Sequence, residues 1–330
     1  MPVGRRAAAA GPYGAAVLAA IVLVATTLWG HDGDGFGNGR QLRIMVPAAP
    51  GGGWDQTARE MQAALRGEVG RTEVANVAGG GGTIGLSQFV RHEGDPTRLM
   101  VTGLVMVGAV ESNDSPVGVD RTTPLARLVT DHQVIVVPVS SPVRTVADLV
   151  ARMRQDPGSV SFAGGPAGGI GQILAGMIAD TIGVDPARVS YLAHPGAGEA
   201  LSTVLSGRAT VGVAGVSEMQ GQIRAGTVRA VAVSSPRRLP TLPDVPTLGE
   251  RGVDVELANW RGVVAPPGIG PDDERRLEDL LVRMTRTAAW RETLRRRGWT
   301  EATLTGDQFR QYIERERRTV TRVLVLMGLA

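Results

Sequence analysis

Residues 42–55, Leu42-Arg43-Ile44-Met45-Val46-Pro47-Ala48-Ala49-Pro50-Gly51-Gly52-Gly53-Trp54-Asp55, read as a strand, a glycine loop and the start of a helix. Leu42 to Val46 is short and apolar enough for a strand, and Pro50 to Gly53 interrupt it. Asp55 stands where an N-cap belongs, and Ala58, Met61 and Leu65 follow at helical spacing. The pattern returns three times. A strand at 74–77 leads through the glycines 79–82 into a helix from Thr83 to about His92. A strand at 160–163 leads through 164–169 into a helix carrying Ile173, Leu174 and Met177. A strand at 189–193 leads through 194–198 into a helix carrying Ala200, Leu201, Val204 and Leu205. Strands alternating with helices at this pace predict an α/β chain with a mostly parallel sheet.

Further strands are expected at 210–214, 228–234 and 262–265. Thr145-Val146-Ala147-Asp148 has the form of a capping box, and Pro271-Asp272-Asp273-Glu274 places proline and acids in a first turn. Thr305 with Gln308 opens the last helix, whose apolar face is Phe309, Tyr312, Ile313 and Val320. Two stretches read as crossings between lobes: the apolar run 125–138 and the proline-dense segment 235–260. The chain then divides into a first lobe, 40–128 with 246–330, and a second, 129–245.

Composition removes several function classes. The 330 residues contain no cysteine, and all 35 basic side chains are arginine. A P-loop lysine, a Schiff-base lysine, a cysteine nucleophile, a thiolate metal site and a disulfide framework are therefore excluded. A net charge of +3 and aromatics at 4% argue against a nucleic-acid partner. No serine lies in G-x-S-x-G, there is no H-E-x-x-H, and His31, His92, His132 and His194 are far apart. Gly80, Gly82 and Gly85 satisfy G-x-G-x-x-G, but no acid follows at the spacing a dinucleotide site needs. No catalytic residue, metal or cofactor is expected.

Arg5 and Arg6 precede an apolar stretch from Ala15 to Trp29, the form of a signal peptide or an uncleaved membrane anchor. The glycine-rich residues 33–39 read as a tether, so 1–39 form a leader and the folded body begins near Arg40, outside the cytoplasmic membrane.

A glycine loop between strand and helix exposes backbone N–H groups at a helix N-terminus, where anions bind without lysine. Four such loops around one cleft suit a small anion with several carboxylates. Trp54, directly after the first loop, and Arg261, in the second crossing, are further candidates. Arg261 fits a bidentate carboxylate contact or a structural ion pair equally well.

The segment 46–55 with Arg59 resembles the opening motif of the tripartite tricarboxylate transporter receptors, the Bug proteins. Ala78-Gly79-Gly80-Gly81-Gly82-Thr83-Ile84-Gly85 is similar to that family's second loop, and Thr123-Pro124-Leu125-Ala126-Arg127-Leu128 to the segment before its domain crossing. Segments 206–210 and 228–233, Leu242-Pro243-Asp244-Val245-Pro246-Thr247 and Asn259-Trp260-Arg261-Gly262-Val263-Val264-Ala265-Pro266-Pro267-Gly268 follow in the family's order. The resemblance implies a two-lobe, type II periplasmic-binding-protein-like α/β fold with a hinge and an interlobe ligand cleft. It implies a small di- or tricarboxylate, citrate-like, captured by lobe closure and delivered to the permease of a tripartite tricarboxylate transporter. Carried over, the ligand-binding residues are Gly52, Gly53, Trp54, Asp55, Gly81, Gly82 and Thr83, faced by Gly165, Gly168, Gly169, Gly196, Gly198 and Ser217. Trp54 is bulky for its place, and Glu199 is a poor neighbour for a carboxylate. Specificity is expected from amide spacing and pocket volume rather than fixed cations, and the protein is expected to be a monomer. The alternatives are an α/β enzyme that uses the glycine loops for a nucleotide or phosphate, and a sensory ligand-binding subunit.

Overall fold

A computed structural model of the chain describes residues 41–330 apart from Pro195. The apolar stretch 15–29, the tether 33–39 and Arg40 lie outside the described residues. In chain order the elements are β1 (Gln41–Val46), α1 (Gly53–Ala64), β2 (Arg71–Asn76), α2 (Thr83–Phe89), β3 (Arg98–Gly103), α3 (Leu104–Ser112), β4 (Thr123–Pro138), α4 (Val146–Gln155), β5 (Ser161–Gly164) and α5 (Ile170–Thr181). There follow β6 (Ser190–Ala193), α6 (Ala197–Leu205), β7 (Val211–Gly215), α7 (Val216–Arg224), β8 (Val228–Val233), β9 (Ala258–Ala265), α8 (Pro271–Thr285), α9 (Ala288–Arg297), β10 (Thr300–Thr305) and α10 (Gly306–Leu326).

The strands run β2-β1-β3-β9-β4-β7-β5-β6, with β8 and β10 also paired to β4. β4 is the crossing element. Its first half pairs with β9 and β10, and its second half, from Gln133, with β7 and β8. β1, β2 and β3 pair in parallel, as do β5, β6 and β7. Every strand against β4, and β3 against β9, is antiparallel. The sheet is thus mixed rather than mostly parallel. Parallel pairing needs a crossover helix, which each outer wing has; a strand passing between wings has none and meets its neighbours head to tail.

The proline-dense segment does not leave the second wing at 246. Val233 N–H donates to the Pro246 carbonyl, and Leu257 N–H donates to the Ser234 carbonyl. The chain rejoins the first wing only with β9. There Trp260 is fully buried, and Phe309 and Tyr312 of α10 meet it edge-on with centroids at 5.7 Å. α10 also reaches the second wing. Gly176 of α5 leaves space that Val323 and Met327 fill, and Arg322 pairs with Asp180 at 3.0 Å.

Local signals held at Thr145, whose hydroxyl and Asp148 form the reciprocal capping box. At Thr305 the helix begins as expected, but the threonine side chain makes no capping bond. The Glu278 carboxylate lies beside Gly306 at that helix start.

Trp260→Ala is expected to cost about 3–5 kcal/mol, as for a large buried aromatic. Equilibrium denaturation checks this, and a loss under about 1 kcal/mol would show that the junction of β9 and α10 does not carry the fold.

Candidate ligand-binding site

A cleft of about 480 Å3 opens beyond the C-terminal ends of β1 and β2, within the range usual for small-molecule sites. The first loop forms one side of it. Gly51 takes φ +88°, which favours glycine, and Gly52 is the N-cap of α1 in extended conformation. Asp55 is therefore not the N-cap. From the third helical position its buried carboxylate reaches back to accept the Gly51 N–H at 2.9 Å, and it accepts Arg59 Nε at 2.9 Å and Asn76 Nδ2 at 3.0 Å. Asn76 Nδ2 also donates to the Ala48 carbonyl at 3.1 Å, so the end of β2 braces the first loop. Because Gly52 has no side-chain cap, the first amides of α1 stay available to an anion. The first helical bond is from Gln56 N–H to the Gly52 carbonyl.

The second loop is built from backbone that only glycine adopts readily. Gly79, Gly80, Gly81 and Gly82 have φ of +127°, +57°, +61° and +103°. Thr83 Oγ1 and Asn113 Nδ2 hold the Gly80 carbonyl at 2.9 and 3.0 Å. A side chain on Gly81 would run into Ala109, and a Cβ on Gly82 would lie 2.9 Å from the Trp54 ring. Trp54 is 8% exposed. Its ring packs beneath the second loop, so it joins the two loops by filling the space between them.

The remaining wall comes from two other elements. Ser217 and Glu218 stand in the first turn of α7, and Asn259 and Arg261 on β9. The Arg261 guanidinium lies over the Trp299 ring at 4.7 Å and 3.9 Å from Asp131 Oδ2. Ser217 Oγ donates to the same Asp131 oxygen at 2.5 Å. Burial pushes the Asp131 carboxyl up, against the pull of Arg261 and the Ser217 hydroxyl. Arg261 is 6% exposed, and its Nη1 is buried without a hydrogen-bond partner. An unmade bond of this kind costs about 1–3 kcal/mol. At Asp55, by contrast, the Arg59 hydrogen bond leads in lowering the carboxyl to about 2.

Of the residues named from sequence, Gly52, Gly53, Trp54, Gly81, Gly82 and Ser217 line the cleft; Asp55 and Thr83 support the loops from behind. Gly165, Gly168, Gly169, Gly196 and Gly198 do not line it. Gly168 rests beside Ser112 of α3, and Gly198 has open space around it. The strand order explains this. β5 and β6 are the outermost strands of their wing, while β7, next to β4, leads to Ser217 and Glu218 at the cleft. Arg261, a further candidate from the sequence, stands in the wall of the cleft.

A family model described as the tripartite tricarboxylate transporter family receptor matches residues 57–329. The chain belongs to that receptor family. A protein encoded in the tcbD-tcbE intergenic region of Pseudomonas sp. strain P51 is 32% identical over 260 residues, 76% of each chain. BugT of Bordetella pertussis is 27% identical and shares 84% of this chain and 86% of its own. Among solved structures, a TctC solute-binding protein from Polaromonas superposes with a TM-score of 0.75 at 22% identity, covering 87% of this chain and 98% of its own. An R. palustris protein with adipate gives 0.74 at 23% identity, covering 88% and 98%. MatC from Rhodopseudomonas palustris, with bound malate, gives 0.69 at 21%, covering 88% and 99%. The fold is that of the two-lobe periplasmic solute-binding proteins of this type.

The Asp55 clamp of this receptor has a pH signature. A carboxyl lowered in the folded state stabilises above its unfolded value, near 4, and loses that contribution as pH falls toward about 2. Asp55→Asn is expected to be about 2 kcal/mol less stable than wild type at neutral pH, with the gap closing below pH 4. Urea denaturation across pH checks this; a gap independent of pH would contradict the clamp. Gly53→Val places a Cβ 2.8 Å from Arg261 Nη2. Ligand binding is expected to be lost while the circular dichroism spectrum and melting cooperativity stay unchanged, and retained binding would count against the cradle.

Proposed function

We propose that this protein is an extracytoplasmic receptor that captures a small di- or tricarboxylate between two lobes and hands it to a tripartite tricarboxylate transporter permease. The observation that carries this reading is the pair of glycine loops, 51–53 and 79–82, which meet at one cleft where the first amides of α1 are left without a side-chain cap. Such amides hold a carboxylate through oriented N–H dipoles, so the site needs no lysine. The relatives with bound malate and adipate support the ligand class.

The lobes in this reading are 41–130 with 258–330, and 131–257, joined where β4 passes between the wings and where the chain returns into β9. Closure brings Ser217 and Glu218 toward the glycine loops. Contacts complete only in the closed form shift the open–closed equilibrium, and the permease reads that shift. Placement outside the cytoplasmic membrane rests on the family and on Arg5 and Arg6 before an apolar stretch. Among the described residues no helix is long and apolar enough to cross a membrane.

A thermal-shift series with succinate, malate, adipate, citrate, ATP and glucose tests the reading. A ligand at 100 times its Kd adds about 2.7 kcal/mol to folded-state stability. At least one carboxylate is expected to raise the melting temperature by several degrees, with no shift from glucose or ATP. A shift from ATP alone would contradict the receptor reading and favour a phosphate-binding enzyme.

A further inference from the structure

One group in the cleft is not accounted for by backbone recognition of a carboxylate. Arg261 is a buried cation without a satisfied partner. Its nearest acid, Asp131, stands at 3.9 Å, too far for the fork contact of an arginine and a carboxylate, and that oxygen already receives the Ser217 hydroxyl. Nη1 makes no hydrogen bond, Trp299 covers the guanidinium face, and Gly53 leaves room beside Nη2 that any Cβ would close. The group is held in place from several sides while its donors are left unspent.

Glu218 lines the same cleft. Its Oε2 caps α7 by accepting the Gly215 N–H at 2.9 Å. That oxygen and Asp131 Oδ2 both lie within about 3 Å of the point where a Gly215 Cβ would sit, so the two acids are neighbours, and both act through space on Arg261. A second bare ligand carboxylate close to Glu218 would meet repulsion, whereas a hydroxyl or ammonium would find an acceptor.

We propose that Arg261 is the specificity-determining cation of this cleft, anchoring one ligand carboxylate, while Glu218 selects ligands that carry a hydrogen-bond donor, hydroxyl or ammonium, near that carboxylate. The proposal rests on the receptor reading above and narrows it. Recognition then has two parts. The loop amides supply a general affinity for carboxylate, and the Arg261–Glu218 pair sets which substituted carboxylate is accepted. Such discrimination works partly by leaving the wrong ligand's partner group unpaired.

Isothermal titration of the full chain with succinate, malate and aspartate tests it, since the three share a four-carbon dicarboxylate frame and differ in the donor. Wild type is expected to bind malate or aspartate at least about tenfold more tightly than succinate, as one hydrogen bond to a charged group allows. Arg261→Gln should weaken every ligand that binds by about 10- to 100-fold. Removing the cation leaves Asp131 buried alone, so Arg261→Gln combined with Asp131→Asn gives a second reading if the single variant unfolds. Glu218→Gln keeps an acceptor for the Gly215 N–H and should bring the succinate affinity to within about threefold of the preferred ligand's. Unchanged affinity in both Arg261 variants overturns the anchor. A succinate affinity equal to or above the others in wild type, or a preference untouched by Glu218→Gln, overturns the selection. Wild type that binds none of these and no other small carboxylate brings down the receptor reading itself.

Discussion

The Asp55 carboxylate is the interaction on which the site depends. It joins three pieces of chain: the Gly51 amide, the side chain of Asn76 at the end of β2, and Arg59 one turn further along α1. A glycine-rich loop is entropically expensive to hold in one conformation. Asp55 offsets that cost with three hydrogen bonds from a buried position, and its low pKa records how strongly the charged form is preferred. Because it works from inside the helix, it orders the loop without occupying the uncapped amides. Trp54, its neighbour, fills the space under the second loop, so adjacent side chains fix both halves of the cradle.

The second constraint is β4, which runs through both wings of the sheet and is buried along almost its whole length. It carries Asp131 to the point where the wings meet. There β9 supplies Arg261 and α7 supplies Ser217, so a buried charge cluster sits at the junction rather than in either wing. A buried ion pair is weak support for stability. Its placement beside the cleft is more consistent with a part in ligand selection and closure than with holding the fold.

Much of this was legible in local sequence. The four strand–glycine–helix units, the capping box at Thr145 and the length of the crossing run all rest on periodicity or turn chemistry within a few residues. What was not legible is non-local. Which glycine loops share a cleft follows from strand order, and the loops after β5 and β6 fall outside because those strands are outermost in their wing. β10, Thr300-Glu301-Ala302-Thr303-Leu304-Thr305, has little apolar content and forms a strand because the edge of β4 pairs with it. From sequence Arg261 fits either an ion pair or a ligand contact; its 3.9 Å separation from Asp131 and its unpaired Nη1 are visible only in three dimensions.

The most direct test of the central claim is a crystal structure of the protein with the carboxylate that stabilises it most. The account predicts carboxylate oxygens within about 2.7–3.2 Å of amides in both glycine loops, around Gly53 and Gly81, inside a closed cleft. A ligand held by side chains alone, or seated away from these loops, would contradict it.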